Sequence, residues 1–180
     1  MIDISLQHAD RIIRELNNTP KAIPGVLSRA INRTAATVKT QAGRSVREMY
    51  TVKSRDFAST ISTTKASAGN LEATIKSEGS PLKLTQFAYS PGSPKQRPNI
   101  RVAVKKGAKK KIGSAFFVSA KNGLNIYTRV SKNRLPIQGS FGPSAAQMLA
   151  NEDIVKTLEE KGRTELGKRA EHELKRLIGG

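Results

Sequence analysis

Apolar residues recur every three or four positions over two long stretches of the chain, the spacing of an amphipathic helix. The first stretch begins at Pro24, a residue suited to a first helical turn, and runs to Met49, predicting a helix over 24–49. Its apolar face consists of Leu27, Ile31, Ala35, Val38, Ala42, Val46 and Met49. Four arginines share the opposite face, where they form either a binding stripe or an ordinary solvated surface. They are Arg29, Arg33, Arg44 and Arg47. A shorter helix is predicted over residues 5–17.

The second long stretch predicts a C-terminal helix over residues 151–178. Asn151 can cap its start, and Glu152 and Asp153 lie in the first turn, where the helix dipole favours anions. Lys175 and Arg176 lie in the last turn, which favours cations. The apolar stripe consists of Ile154, Leu158, Gly162, Leu166, Ala170, Leu174 and Leu177. Because Gly162 and Gly167 weaken the helix, tertiary or intersubunit packing must hold it.

Between these helices the apolar and polar residues alternate, as they do in β-strands. The pattern predicts a connector with one helical turn near residues 54–59, strands at 71–76, 100–105, 116–118 and 124–130, and loops at 106–111 and 135–148. The predicted fold is a single α+β domain over residues 1–180. Its long N-terminal and C-terminal helices pack on a central, mostly antiparallel sheet over about 61–131, which carries a basic hairpin loop.

Charge is concentrated in the middle of the chain. Residues 79–151 contain no Asp or Glu but 13 Lys or Arg, whereas residues 1–78 carry a net charge of +5 and residues 152–180 a net charge of zero. A basic centre between balanced ends indicates a surface that faces a polyanion or an acidic partner protein. With 37% hydrophobic and 4% aromatic residues, the core is predicted to be thin and to be completed by neighbouring subunits.

Five lysines in the predicted hairpin loop are candidate contacts to nucleic-acid phosphates or to an acidic partner. They are Lys105, Lys106, Lys109, Lys110 and Lys111. Lysine ammonium groups on a mobile loop can neutralise phosphates without reading base sequence. The alternative is a solvated tip, because lysines also keep hairpins soluble and strand edges unpaired. The arginine stripe of the first long helix is a second candidate for the same contacts.

The sequence offers no catalytic, cofactor or metal site. His8 and His172 are the two histidines, they lie at opposite ends of the chain, and there is no cysteine. The acid-free centre lacks the carboxylates that a two-metal nuclease requires. Gly107 in its lysine run lacks the spacing of a P-loop, and Gly142-Pro143-Ser144 lacks the second glycine of a nucleophile elbow. We therefore expect a protein that is not an enzyme and needs no cofactor.

The sequence also lacks features that direct a protein to a membrane. Asp3 and Asp10 interrupt the N-terminal apolar residues, which argues against a signal peptide. The longest clear apolar run, Ala115–Val118, is far shorter than the roughly 20 residues that span a bilayer. We expect a protein that is made and kept in cytosol-like solution and has no membrane partner.

Three segments resemble the minor tail protein Z family of long-tailed bacteriophages and prophages. They are the helix end and connector at residues 47–56 (REMYTVKSRD), the loop at 136–144 (PIQGSFGPS) and the pair Gln147-Met148. The resemblance covers nearly the whole chain in order, from the long helix to the C-terminal helix. The Gly-Pro-Ser loop with its downstream helix is the most specific part.

The resemblance implies a virion structural protein of tail completion, which is assembled in the host cytoplasm and joins the capsid-proximal end of the tail to the neck. Such a subunit is expected to form a ring of six around the DNA channel, and to contact the tail terminator or tube, the neck connector proteins and DNA non-specifically. It also implies that Gly142, Pro143 and Ser144 shape a subunit or neck contact. The residues themselves leave an alternative open, a stand-alone protein that binds nucleic acid without sequence preference.

Overall fold

A computed structural model describes residues 22–92, 99–121 and 123–178 of the chain. The helix predicted over residues 5–17 lies outside these residues. The described residues form two long helices and three small antiparallel sheets, which confirms the predicted α+β class.

The elements follow one another along the chain as four helices and eight strands in the described residues. The helices are α1 (Ile23–Met49), α2 (Ser54–Ala58), α3 (Ala145–Leu149) and α4 (Glu152–Ile178), with a 3-10 turn at Leu84–Gln86. The strands are β1 (Ile61–Thr64), β2 (Thr74–Ser77), β3 (Ala88–Ser90), β4 (Arg101–Ala103), β5 (Lys109–Lys111), β6 (Phe116–Ala120), β7 (Gly123–Arg129) and β8 (Ile137–Gly139). The sheets have the orders β1-β2, β3-β4-β5 and β6-β7-β8.

Contacts within the chain separate it into two compact units. We call residues 1–42, 61–77 and 150–180 the terminal unit, and residues 43–60 and 78–149 the central unit. Helix α1 begins in the terminal unit and ends in the central unit. The expectation of a single domain over the whole chain stays a prediction.

The core of the terminal unit is built from the apolar stripes of its two long helices. Val26 of α1 and Leu174 of α4 are buried in one cluster, and Ile23 and Leu177 pack against it. The other buried apolar residues of these helices include Leu27, Ala30, Ala35, Val38, Ala42, Ile154, Leu158, Leu166 and Ala170. This burial agrees with the predicted apolar face of both helices.

Two polar contacts fix further parts of the terminal unit. The Asn151 side chain accepts a hydrogen bond from the backbone nitrogen of Asp153 (3.1 Å), so it caps α4 as predicted. The Asn32 amide exchanges two hydrogen bonds with the backbone of Ala66 (2.9 and 2.8 Å), which attaches the β1–β2 connection to α1.

The central unit holds the two three-stranded sheets around a small core. Its most deeply buried large side chains are Phe87, Ile100, Ile126 and Met148. The predicted helical turn near residues 54–59 is α2, whose Phe57 is also buried. Aliphatic residues dominate this core, with Tyr50, Phe57 and Phe87 as its buried aromatic residues, in keeping with the low aromatic content of the sequence.

Three predictions about the middle of the chain are wrong. The single sheet over residues 61–131 is divided into three, and β1–β2 belongs to the terminal unit. The loop at 106–111 contains β5, because its lysines pair with β4 in spite of a composition that disfavours strands. The loop at 135–148 contains β8 and α3, since pairing with β7 and a local capping motif order it.

The predicted strand at 71–76 begins later than expected. β2 starts at Thr74, which pairs with Thr64, the last residue of β1. Without a partner strand alongside, Leu71 lies outside the ladder and is exposed. Strand length here is therefore set by the partner strand, which a single-strand pattern does not reveal.

Candidate functional site

The candidate site is the lysine-rich hairpin formed by β4 and β5 in the central unit. Its register pairs Arg101 with Lys111, Val102 with Lys110 and Ala103 with Lys109. The turn between the strands contains Gly107, whose positive φ of 77° suits a glycine. Backbone hydrogen bonds join the hairpin to the end of α1, from Lys106 to Met49 (2.9 Å) and from Thr51 to Val104 (3.0 Å).

Strand alternation divides the cations of this hairpin between two faces, because successive side chains of a strand point to opposite sides. One face carries Arg101, Lys109 and Lys111, all exposed, and we call these three residues the basic face. The other face carries Lys110 together with the apolar residues Val102 and Ile112. The predicted lysine cluster is therefore two surfaces with different chemistry.

The basic face places like charges next to each other. Ile112 donates a backbone hydrogen bond to Ile100 (2.9 Å), so the next pair along the ladder, Arg101 and Lys111, is a non-hydrogen-bonded pair. Cα atoms in such a pair are about 4.5 Å apart and the side chains approach more closely than in the alternate pairs. Like charges directly opposite each other are destabilising. An anion bound between them would offset that repulsion.

The opposite face forms an open apolar depression of about 320 Å³. Its apolar lining consists of Leu84, Val102, Val104, Ala108 and Ile112. Lys105 and Lys110 complete the lining, and both are exposed. Lys106 is also exposed and lies in the turn of the hairpin. The five predicted lysines thus lie on one hairpin, but they do not form one surface.

The four arginines of α1 are exposed, but they lie in different units. Arg44 and Arg47 belong to the central unit, where the Arg47 Nε donates a hydrogen bond to the Gly43 carbonyl (2.7 Å). Arg29 and Arg33 belong to the terminal unit. These two pair with a carboxylate on α4, which the interpretation as a simple solvated stripe did not anticipate.

That carboxylate is Glu173, whose side chain is completely buried. The Arg29 Nε donates a 2.8 Å hydrogen bond to its Oε2, and the Arg33 Nη1 lies 3.3 Å from its Oε1. The Arg176 Nη1 lies 4.0 Å from the same Oε1. The hydrogen bond from Arg29 holds the pKa of Glu173 below its ordinary range, against the opposing effect of burial. We call these four residues the Glu173 cluster.

The sequence contains a signal for this cluster, which is the position of Glu173 beside the apolar residues of α4. Glu173 lies seven residues after Leu166 and three after Ala170, so it falls on the edge of the buried stripe of α4. Glu165 falls on the same edge, is also buried, and pairs with Arg169 at 2.8 Å. A carboxylate inside an apolar stripe indicates a buried ion pair, because an unpaired buried charge is costly.

The Gly142-Pro143-Ser144 loop has an internal role in the central unit. A Cβ built on Gly142 would lie 2.7 Å from Cε2 of the buried Phe87, so the close approach requires glycine. Pro143 is half-buried. Ser144 and Gln147 each accept a hydrogen bond from the other's backbone nitrogen (3.2 and 2.8 Å), which is a capping box at the start of α3. Its predicted contact with another subunit or the neck stays a prediction.

Comparison with known proteins identifies the family. Within the described residues, no helix is long and apolar enough to cross a membrane. No curated protein and no solved structure matches the chain. The sequence profile of prophage minor tail protein Z matches residues 6–179, nearly the whole chain. The chain therefore belongs to the prophage minor tail protein Z family, and is a structural component of a phage tail.

Proposed function

We propose that the chain is a tail-completion protein that joins the capsid-proximal end of the tail to the head. In this proposal six copies form a ring around the DNA channel, between the tail terminator or tube and the neck connector. The basic face of each copy lines the channel and contacts the phosphates of passing DNA. A structural role of this kind requires no catalytic group and no cofactor.

The observation that carries the proposal is the charge of the central unit. Its 90 residues contain 17 basic and three acidic side chains, a net charge of +14, against +4 for the terminal unit. Contacts to phosphate oxygens supply affinity without sequence readout, as a channel open to any DNA sequence requires. The close Arg101–Lys111 pair supports the same assignment, because bound phosphate relieves its repulsion.

The DNA contact is tested by the salt dependence of duplex binding. Replacing Arg101, Lys109 and Lys111 with Gln removes three candidate phosphate contacts, so the slope of log K against log salt should become shallower by up to about 2.7. The control variant replaces Lys156, Lys161 and Lys168, three exposed lysines of α4, and removes the same total charge. We expect the control to keep the parental slope. Equal slopes for the two variants would contradict the assignment of the basic face.

The ring is tested separately, by native mass spectrometry and negative-stain microscopy of the purified protein with and without purified tails. The proposal predicts closed rings of six, either alone or on the tail end. A protein that remains monomeric, and that binds duplex DNA but not tails, would support the second candidate function. That candidate is a stand-alone nucleic-acid-binding protein, which the charge of the central unit also favours.

A further inference from the structure

The face of the β4–β5 hairpin opposite the basic face has a chemistry that DNA does not match. Five of the seven residues that line its depression are aliphatic, and among the lining residues Val102 is buried while the two lysines are exposed. Apolar surface that faces water is unfavourable, and covering it releases free energy in proportion to its area. A phosphate backbone cannot cover the aliphatic part of this surface, because a phosphate placed there would lose its hydration without gaining a hydrogen-bond partner.

Charge restricts what can cover the depression. Lys105 and Lys110 both contribute to its lining, and neither forms an ion pair with a carboxylate among the residues that the structure describes. An apolar partner with basic flanks would be repelled, whereas one with acidic flanks would be attracted and oriented. Electrostatic complementarity therefore selects a ligand that combines an aliphatic group with carboxylates.

Size and shape further restrict the ligand. A volume of about 320 Å³ lies at the small end of the range for ligand pockets, about 300–1,000 Å³. The surface is concave, so it accepts a projecting side chain and does not itself project into a partner or a lipid layer. An aliphatic side chain carried on a peptide, with Asp or Glu beside it, meets all three requirements.

We infer that the depression between Leu84 and Ile112 is a docking site for an acidic segment of a partner protein, which inserts an aliphatic side chain beside Lys105 and Lys110. The inference does not depend on the proposed DNA contact, because the two use opposite faces of β5. One hairpin would thereby bind DNA through Lys109 and Lys111 and hold a neighbouring protein through Lys110.

The test is a titration of the full-length protein, with labelled methyl groups, followed by nuclear magnetic resonance. The probes are two synthetic hexapeptides, Glu-Asp-Leu-Leu-Asp-Glu and its analogue with Ser in place of Leu. We expect the leucine peptide to shift the methyl signals of Val102, Val104 and Ala108 saturably, and the serine peptide to leave them in place. Absence of saturable shifts with the leucine peptide, or equal shifts with both peptides, would overturn the inference.

Variants on the two faces separate this site from the DNA site. The K105Q/K110Q variant should bind the leucine peptide roughly three- to tenfold more weakly, since it removes two exposed charge pairs. The K109Q/K111Q variant, with the same charge loss on the same hairpin, should keep peptide affinity within about twofold and lose duplex DNA affinity instead. Equal weakening of peptide binding by both variants would show an unspecific charge effect and overturn the inference.

Two further outcomes would also overturn it. If duplex DNA shifts the Val102 and Ala108 methyl signals as strongly as the peptide does, this face binds nucleic acid. If the same signals shift with protein concentration in the absence of peptide, this face binds a second copy of the chain. If the basic face fails its own test while K105Q/K110Q selectively weakens peptide binding, the docking site stands and the DNA assignment alone falls.

Discussion

The Glu173 cluster should contribute a pH-dependent part of the stability of the terminal unit. The perturbation is Glu173→Gln, which keeps the size and shape of the side chain and removes its charge. The substitution removes the charge assistance from the hydrogen bond that Arg29 donates to this buried side chain. It also leaves three neighbouring cations, Arg29, Arg33 and Arg176, without a carboxylate between them. Both effects destabilise the folded protein.

The magnitude follows from the geometry of the cluster. The carboxylate is fully buried, but the side chains of Arg29 and Arg33 are each 47% exposed and regain water when the pair is broken. The cost should therefore fall below the roughly 3–5 kcal/mol of a fully buried pair and lie near the 1.5–3 kcal/mol of a hydrogen bond to a charged group. In urea unfolding this corresponds to a midpoint lower by about 1 M.

The pH dependence provides an independent check. Because the folded-state pKa of Glu173 lies below its ordinary value, its stabilisation is complete above that ordinary value and is lost as the pH falls through the lowered folded-state pKa. The difference between parent and variant should thus be largest at neutral pH and shrink in acid.

The assay is urea unfolding followed by far-ultraviolet circular dichroism, at neutral and at acidic pH. The matched control is Glu171→Gln on the same helix, which breaks an exposed pair with Lys175 at 2.8 Å. Exposed pairs contribute little, so the control should unfold almost as the parent does. An effect of Glu173→Gln that is no larger than the control's, or that is the same at both pH values, would refute this account of the cluster.

Three further substitutions test local packing and helix formation, each by thermal or urea unfolding. Gly142→Ala should destabilise the central unit by about 1–3 kcal/mol, because its Cβ would overlap Phe87, and an unchanged midpoint would show that the ring can move aside. Gly167→Ala should stabilise the protein by up to about 1 kcal/mol, since the position is exposed in α4 and the added Cβ meets nothing within 4 Å; a loss of stability would contradict this environment. Asn151→Ala should cost about 1 kcal/mol by removing the cap on Asp153, whereas Asn151→Asp should retain most of the stability, and equal effects of the two would exclude capping.

The helices could be predicted because their information is local. The apolar positions of α1 and α4 repeat over 27 residues each, and Asn151 marks the start of α4 with a side chain that needs no distant partner. The strands depend on partners elsewhere in the chain. Nothing in three consecutive lysines indicates a strand, and β5 exists because β4 lies beside it.

The candidate site shows the same limit. The acid-free segment indicates the region of the candidate site, since charge composition is a property of the sequence. Lys109 and Lys111 lie on one face of the hairpin and Lys110 on the other. This separation can be predicted only if the segment is known to be a strand, because successive side chains alternate between faces in a strand and not in a loop. Glu173 was missed because its partner Arg29 lies 144 positions earlier in the chain, so its place at the edge of the apolar stripe does not identify the partner.

In the proposed function, the basic face meets DNA inside the assembled tail. The most direct measurement places a photo-crosslinking amino acid at Lys111 in assembled virions, with Lys156 of α4 as the control position. The proposal predicts crosslinks from position 111 to packaged DNA and none from position 156. Virions that contain the protein but give crosslinks from position 111 to protein alone would contradict it.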